Sequence, residues 1–189
     1  MIIIMIDYIF VIHQMTLAKF ADKTKWVCYL IASLDSNDTY IGATNDPAKR
    51  LYNHNRKGTY GAKRTRGQTW IPIIIISGFE NKICCLSFEA GWKRIHKTRS
   101  NDKLNLINLM CQTNLSYLSG DTKWNRLMDL MYFTYNFTYI EKKFKMNHQN
   151  LHPVFVPPEL ILNIFQDDWI KDLPWTYFVR PRIVRVPTQ

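Results

Sequence analysis

The sequence is poor in cysteine. Only Cys28, Cys84, Cys85 and Cys111 occur in 189 residues, two are adjacent, and no CxxC pair is formed. That excludes a disulfide scaffold, a zinc ribbon and a RING finger, and it suits a reducing intracellular compartment. No apolar run reaches the roughly 20 residues that span a bilayer. The most apolar stretch, Met1–Ile12, is interrupted by Asp7 and lacks a basic start and a small-residue cleavage site, so it reads as a buried edge strand rather than a leader. Acidic residues are also scarce, 15 against 25 lysines and arginines, for a net charge of +10. An acidic solvating protein is excluded, and a polyanionic partner fits. Internal repeats and low-complexity tracts are absent, as is any helix-turn-helix or zinc finger that would read bases. With 47% apolar and 14% aromatic residues, the chain can build a core.

The charge is concentrated. Residues 1–42 carry a net −1, residues 43–99 a net +9 and residues 100–189 a net +2. Within the middle segment Lys49, Arg50, Arg56, Lys57, Lys63, Arg64 and Arg66 face a single acid, Asp46. Such a cluster repels itself unless an anion sits nearby, and nucleic-acid phosphates supply one through counterion release.

The patterning predicts strands at Trp26–Leu34 and Thr39–Ala43, joined by the turn residues Asp35, Ser36, Asn37 and Asp38 into a hairpin. Asn45-Asp46-Pro47 supplies a helix cap and an N-terminal proline for a helix to about Arg56. Gly58–Gly67 is a basic loop in which Arg64, Thr65 and Arg66 are expected to grip substrate. Trp70–Ser77 reads as a central strand buried on both faces. Asn81–Lys97 reads as a helix. Further helices are expected over Leu104–Cys111, Trp124–Tyr132 and Pro157–Phe165, with Phe133–Ile140 readable as strand or helix. The tail around Arg180, Arg182 and Arg185 is expected to be extended. Boundaries fall best at Thr98–Asp102 and His148–Pro153.

Short motifs occur in order along this plan. They are Cys28-Tyr29-Leu30-Ile31, Thr39-Tyr40-Ile41-Gly42-Ala43-Thr44, Lys49-Arg50-Leu51-Tyr52-Asn53-His54-Asn55, Gly61-Ala62-Lys63-Arg64-Thr65, and Gly78-Phe79 through Phe88-Glu89-Ala90-Gly91-Trp92. Together they resemble the GIY-YIG endonuclease superfamily, and more narrowly its Slx1-like structure-selective branch. The resemblance covers about Trp26–Lys97. The first motif reads Val27-Cys28-Tyr29 where the family has Gly-Ile-Tyr, but the tyrosine is kept. The family's RING domain, which docks a scaffold subunit, is not supported by so few cysteines, so a scaffold partner is open and a homodimer is an alternative.

The resemblance implies an α/β (α+β) fold: a nuclease domain at residues 26–98 with a small central antiparallel sheet flanked by helices. Residues 1–25 are an N-terminal extension and residues 99–189 a mostly helical region packing on that domain. It implies hydrolysis of phosphodiester bonds in branched or nicked DNA, during repair or recombination. The implied catalytic residues are Tyr29, Tyr40, Arg50, His54 and Glu89. The reaction needs an activated water, a cation facing the developing charge and a stabilised leaving oxygen. Glu89 suits one Mg²⁺ or Mn²⁺ completed by waters and phosphate oxygens. Arg50 would hold the phosphate through its planar fork. Either tyrosine would help deprotonate the water, with His54 assisting one of them or contacting the leaving side. Lys49, Arg56, Lys57, Lys63, Arg64, Arg66 and Lys93 are the expected DNA-binding cations. Phosphate contacts carry no base information, so selection would be by DNA shape. Two alternatives stand beside this reading: a site-selective homing or restriction-type nuclease, and a catalytically inactive DNA-binding module. Membrane association is not expected. Abundant Ile, Asn and Lys match AT-rich coding, which suits a virus-encoded protein acting in nucleus or cytoplasm.

Overall fold

The computed structural model describes residues 15–19, 22, 24–56, 61–135, 160–165, 168–175 and 182–183. Strand β1 (Val27–Ser33) and strand β2 (Thr39–Thr44) form the expected hairpin, with Tyr29 opposite Gly42. The turn is built from side-chain oxygens: Ser33 Oγ accepts from the Asp35 and Ser36 amides, and Ser36 Oγ accepts from the Asp38 amide. Helix α1 (Pro47–Asn55) follows, started by the Asp46 carboxylate accepting the Lys49 amide at 2.9 Å. Strand β3 (Trp70–Ser77) runs antiparallel to β1, with a register shift at Leu30/Ile31. Helix α2 (Lys82–Ile95) begins at Asn81, whose side chain caps the Cys84 amide. Helices α3 (Asn105–Cys111) and α4 (Thr122–Tyr135) come next.

The chain then returns to the sheet. Strand β4 (Ile161–Ile164) pairs antiparallel with β3, and β5 (Arg182–Ile183) pairs parallel with β4, for a sheet order β2-β1-β3-β4-β5. The α+β class and the antiparallel core of the sheet agree with expectation. The helix expected through Phe165 does not: Ile161–Ile164 is strand. The reason is tertiary. Ile73–Ile76 are buried on both faces, and β3 has a free edge opposite β1 that needs a hydrogen-bonded partner. A short apolar run such as Leu160–Phe165 fits either period, and the sheet edge decides. The segment after residue 99 thus adds strands to the sheet as well as helices. Helix α4 runs three residues beyond the expected end, to Tyr135, so Phe133–Tyr135 is helix. The strand expected over Met1–Ile12, the rest of Phe133–Ile140, the His148–Pro153 boundary, Lys57, Pro157–Glu159, Arg180 and Arg185 lie outside the described residues.

Two cores sandwich the sheet. On one face Cys28, Leu30, Ile41, Ile74 and Ile76 meet α2 and α4. Phe88 is the hub there, with edge-on contacts to Phe79 (5.2 Å) and Phe133 (5.0 Å). A Cβ on Gly91 would collide with the Phe133 ring, so glycine is what lets α2 and α4 approach. Asp129 of α4 is fully buried and accepts Arg99 Nε at 2.7 Å, with Arg126 also paired to it, which ties α4 to the chain leaving α2. On the opposite face Val27, Tyr29, Ile31 and Ile75 are covered by Leu51 of α1, by Trp70 and Phe165, and by Leu17 from a helical turn at residues 15–18. No helix among the described residues is long and apolar enough to cross a membrane.

Candidate active site

Tyr29 and Tyr40 stand on the α1 face of the hairpin. In α1, Arg50 and His54 are four residues apart and so project from one side of the helix. They converge on one phenol. Arg50 Nε donates to Tyr29 Oη at 3.1 Å, and His54 Nε2 lies 2.9 Å from the same oxygen. The Tyr40 ring packs 5.0 Å from the imidazole and 6.3 Å from the Tyr29 ring. Tyr29 reaches this position because β2 carries Gly42 opposite it: a Cβ there would overlap the phenol oxygen. The α1 face is held in place from its C-terminal end. Asn55 accepts the Trp70 amide at 2.6 Å and donates to the Trp70 carbonyl at 2.9 Å, clamping the helix to the start of β3.

The imidazole's other nitrogen, Nδ1, is 2.8 Å from Thr65 Oγ1 in a short 3₁₀ turn at Lys63–Thr65. Thr65 is fully buried, so it does not grip substrate as expected of that loop; it faces inward onto His54. His54 itself is 2% exposed. Burial, aided by the Arg50 charge, lowers its pKa to about 4, so the ring is neutral at physiological pH. Burial likewise raises the Tyr29 pKa well above the ordinary tyrosine value, with Arg50 opposing it. Burial also works against the Arg50 charge, but the oxygens of Tyr29 and Tyr40 outweigh it and raise that pKa.

Glu89 arrives from the other side. Its helix, α2, packs on the opposite face of the sheet, yet the pair Glu89–Lys93 lies toward the β2 edge. Lys93 Nζ is 2.5 Å from Glu89 Oε1 and 5.5 Å from the Tyr40 ring centroid. Lys93 therefore links the one carboxylate of the site to the tyrosine cluster. Among the described residues no group of three or more His, Cys, Asp or Glu side chains gathers into a metal cage. A lone carboxylate, 16% exposed, fits a hard ion that keeps most of its waters and takes further oxygens from a phosphate.

Lys49, Arg56, Lys63, Arg64 and Arg66 are all exposed and flank α1 and the loop that follows it. A cavity of about 620 Å³ lies elsewhere, at the β1–β2 turn, lined by Ser36, Asp38, Ile71, Gly120 and Lys123 among others; none of the five expected catalytic residues lines it. Sequence reasoning missed four contributors: Gly42 as the cradle of Tyr29, Asn55 as the helix clamp, Thr65 as the imidazole's partner, and Lys93 as the partner of Glu89. Two signals were available: Gly42, Asn55 and Thr65 each fall inside one of the quoted motifs, and Glu89 and Lys93 stand at i, i+4 spacing.

A family model described as the GIY-YIG catalytic domain matches residues 25–105. Residues 25–105 are a GIY-YIG catalytic domain. The domain so matched contains the Tyr29, Tyr40, Arg50 and His54 cluster, Glu89 and the Thr65 loop. The chain is 53% identical over 161 residues to the uncharacterized protein L300 of Acanthamoeba polyphaga mimivirus, across 84% of this chain and 96% of that protein. It is 42% identical over 81 residues to the structure-specific endonuclease subunit SLX1 of Phaeosphaeria nodorum, covering 41% of this chain and 22% of that protein. It is 44% identical over 78 residues to the subunit of the same name from Talaromyces marneffei, covering 39% of this chain and 20% of that protein. The chain thus spans about a fifth of the length of these two fungal proteins.

Proposed function

We propose that this protein is a metal-dependent, structure-selective DNA endonuclease that hydrolyses phosphodiester bonds in branched DNA such as junctions and flaps. The observation that carries the reading is the single phenol oxygen of Tyr29 shared by Arg50 and His54, in a GIY-YIG domain whose Glu89 lies toward the same sheet edge. Tyr29 is the general base in this reading. Its proton has an acceptor in neutral His54, and the Arg50 guanidinium stabilises negative charge on the oxygen. The remaining guanidinium nitrogens of Arg50 hold the scissile phosphate. Tyr40 packs the imidazole in place. Glu89 would hold the Mg²⁺ or Mn²⁺, whose charge would offset that of the departing oxygen, and Lys93, released from the carboxylate, would turn to the phosphate.

Exposed Lys49, Arg56, Lys63, Arg64 and Arg66, together with Lys57, track the DNA backbone. The names of the fungal relatives support a substrate recognised by structure rather than by sequence. The likeness to a mimivirus protein over most of the chain supports a virus-encoded protein, and the names of the fungal relatives suit a role in repair or recombination.

The test is cleavage of labelled four-way junction, 5′-flap and linear duplex DNA in Mg²⁺ or Mn²⁺, by wild type and Glu89→Gln. Cutting of the branched substrates that vanishes in the variant supports the reading. Fixed-position cutting of linear duplex would favour a site-selective nuclease. Branched-DNA binding without cutting would favour an inactive binding module.

A further inference from the structure

We propose that Thr65 is a positioning residue of the cleavage reaction, whose hydroxyl holds His54 in the Nδ1–H tautomer so that Nε2 faces Tyr29 as a proton acceptor. The inference deepens the nuclease reading and rests on it.

The tautomer follows from counting protons around two oxygens. Thr65 Oγ1 has one proton and two near neighbours. The Ala62 carbonyl, 2.9 Å away, can only accept, so it takes the hydroxyl proton. The Thr65 oxygen then faces His54 Nδ1 with a lone pair at 2.8 Å, and Nδ1 must carry the hydrogen. The count at the other nitrogen agrees. Arg50 Nε is a donor only and occupies a lone pair of Tyr29 Oη, so the phenol's proton goes to His54 Nε2. The five groups form one directed chain: Arg50 to Tyr29 to His54 to Thr65 to the Ala62 carbonyl. The opposite tautomer would aim two donors at the phenol oxygen and take away its acceptor. Thr65 is fully buried and His54 is 2% exposed, which favours the hydroxyl over bulk water as the imidazole's partner.

In the chemical step a water gives one proton to Tyr29 Oη as the phenol proton passes to His54 Nε2. The water oxygen bonds to phosphorus, one P–O ester bond breaks, and the leaving oxygen takes a proton from solvent. The imidazolium keeps Nδ1–H on Thr65 throughout, then returns its Nε2 proton to Tyr29, which releases the extra proton to solvent. Thr65 thus acts on His54 as an orienting group acts on a catalytic imidazole elsewhere. Its place does not depend on the hydroxyl. The Thr65 amide bonds the Ala62 carbonyl at 2.9 Å, and the Thr65 carbonyl accepts Trp70 Nε1 at 2.8 Å. Gly61 keeps the loop close, since a Cβ there would lie 2.8 Å from the Asn53 carbonyl.

The experiment uses the full chain with ¹⁵N-labelled histidine. Two-bond ¹H–¹⁵N correlation spectra read the His54 tautomer in wild type, Thr65→Val and Thr65→Ser, and single-turnover junction cleavage is measured beside them. The wild type and Thr65→Ser are expected to show Nδ1–H and to cleave within about threefold of each other. Thr65→Val is expected to lose that tautomeric preference and to cleave roughly 10–100-fold more slowly, with junction affinity unchanged. His54 found as Nε2–H in the wild type overturns the proposal, and so does a Thr65→Val protein that keeps both tautomer and rate. The spectra need no cleavage, so a wild type that cuts no DNA refutes the nuclease reading, and a role in cleavage with it, while the tautomer still decides whether Thr65 orients His54.

Discussion

Acidification should unfold this protein through His54, in a way that one substitution removes. The imidazole is 2% exposed and its pKa falls from the ordinary 6.5 to about 4 on folding. The unfolded chain therefore binds a proton that the folded chain refuses. Stability from this group is full above pH 6.5, declines as pH falls, and is exhausted near pH 4. Linkage over that interval gives a loss of about 3 kcal/mol in all, and roughly 2.5 kcal/mol by pH 4.5. The assay is urea unfolding followed by tryptophan fluorescence at intervals from pH 7.5 to 4.5, for wild type and His54→Gln. The variant starts from a lower stability because Tyr29 loses its partner, so the slopes are compared rather than the levels. Wild type should lose stability about 1 kcal/mol per pH unit faster than the variant between pH 6 and 4.5. Parallel curves would refute a buried neutral His54 and with it the reading of Tyr29 as a phenol with a ready acceptor.

Other expectations are independent of that titration. Gly42→Ala places a methyl against the Tyr29 hydroxyl, and should cost about 1–3 kcal/mol in urea unfolding and abolish most junction cleavage. Asp129→Asn leaves the partly buried Arg99 and Arg126 against a neutral amide, and should cost about 3 kcal/mol by the same unfolding assay. Replacing Arg64 and Arg66 together by alanine should weaken junction binding at low salt and reduce the slope of log affinity against log salt by about 1–2, with unfolding unchanged.

What was legible from the residues was what local chemistry specifies. The hairpin follows from two largely apolar runs flanking the turn residues Asp35–Asp38, and α1 from Asp46-Pro47. Arg50 and His54 belonged together by helical spacing alone. What was hidden depended on tertiary partners. Strand β4 looked helical because Pro158-Glu159 imitates a helix start and Leu160–Phe165 is too short to show a period; only the free edge of β3 resolves it. Thr65 stands between two exposed arginines in the sequence, and only the 3₁₀ turn shows that it points the other way, into His54. Glu89 was named from its resemblance, but nothing local says that a helix on the far face brings it and Lys93 toward the edge of β2.

The central claim is that Tyr29, backed by His54 and Arg50, activates the attacking water. Single-turnover cleavage of a four-way junction by Tyr29→Phe tests it most directly, with junction affinity measured on the same protein. The substitution keeps the ring over Gly42 and removes one oxygen. The account predicts unchanged affinity and a rate lower by roughly 10²–10⁴-fold. A Tyr29→Phe protein that binds the junction and cleaves it within threefold of wild type would contradict it.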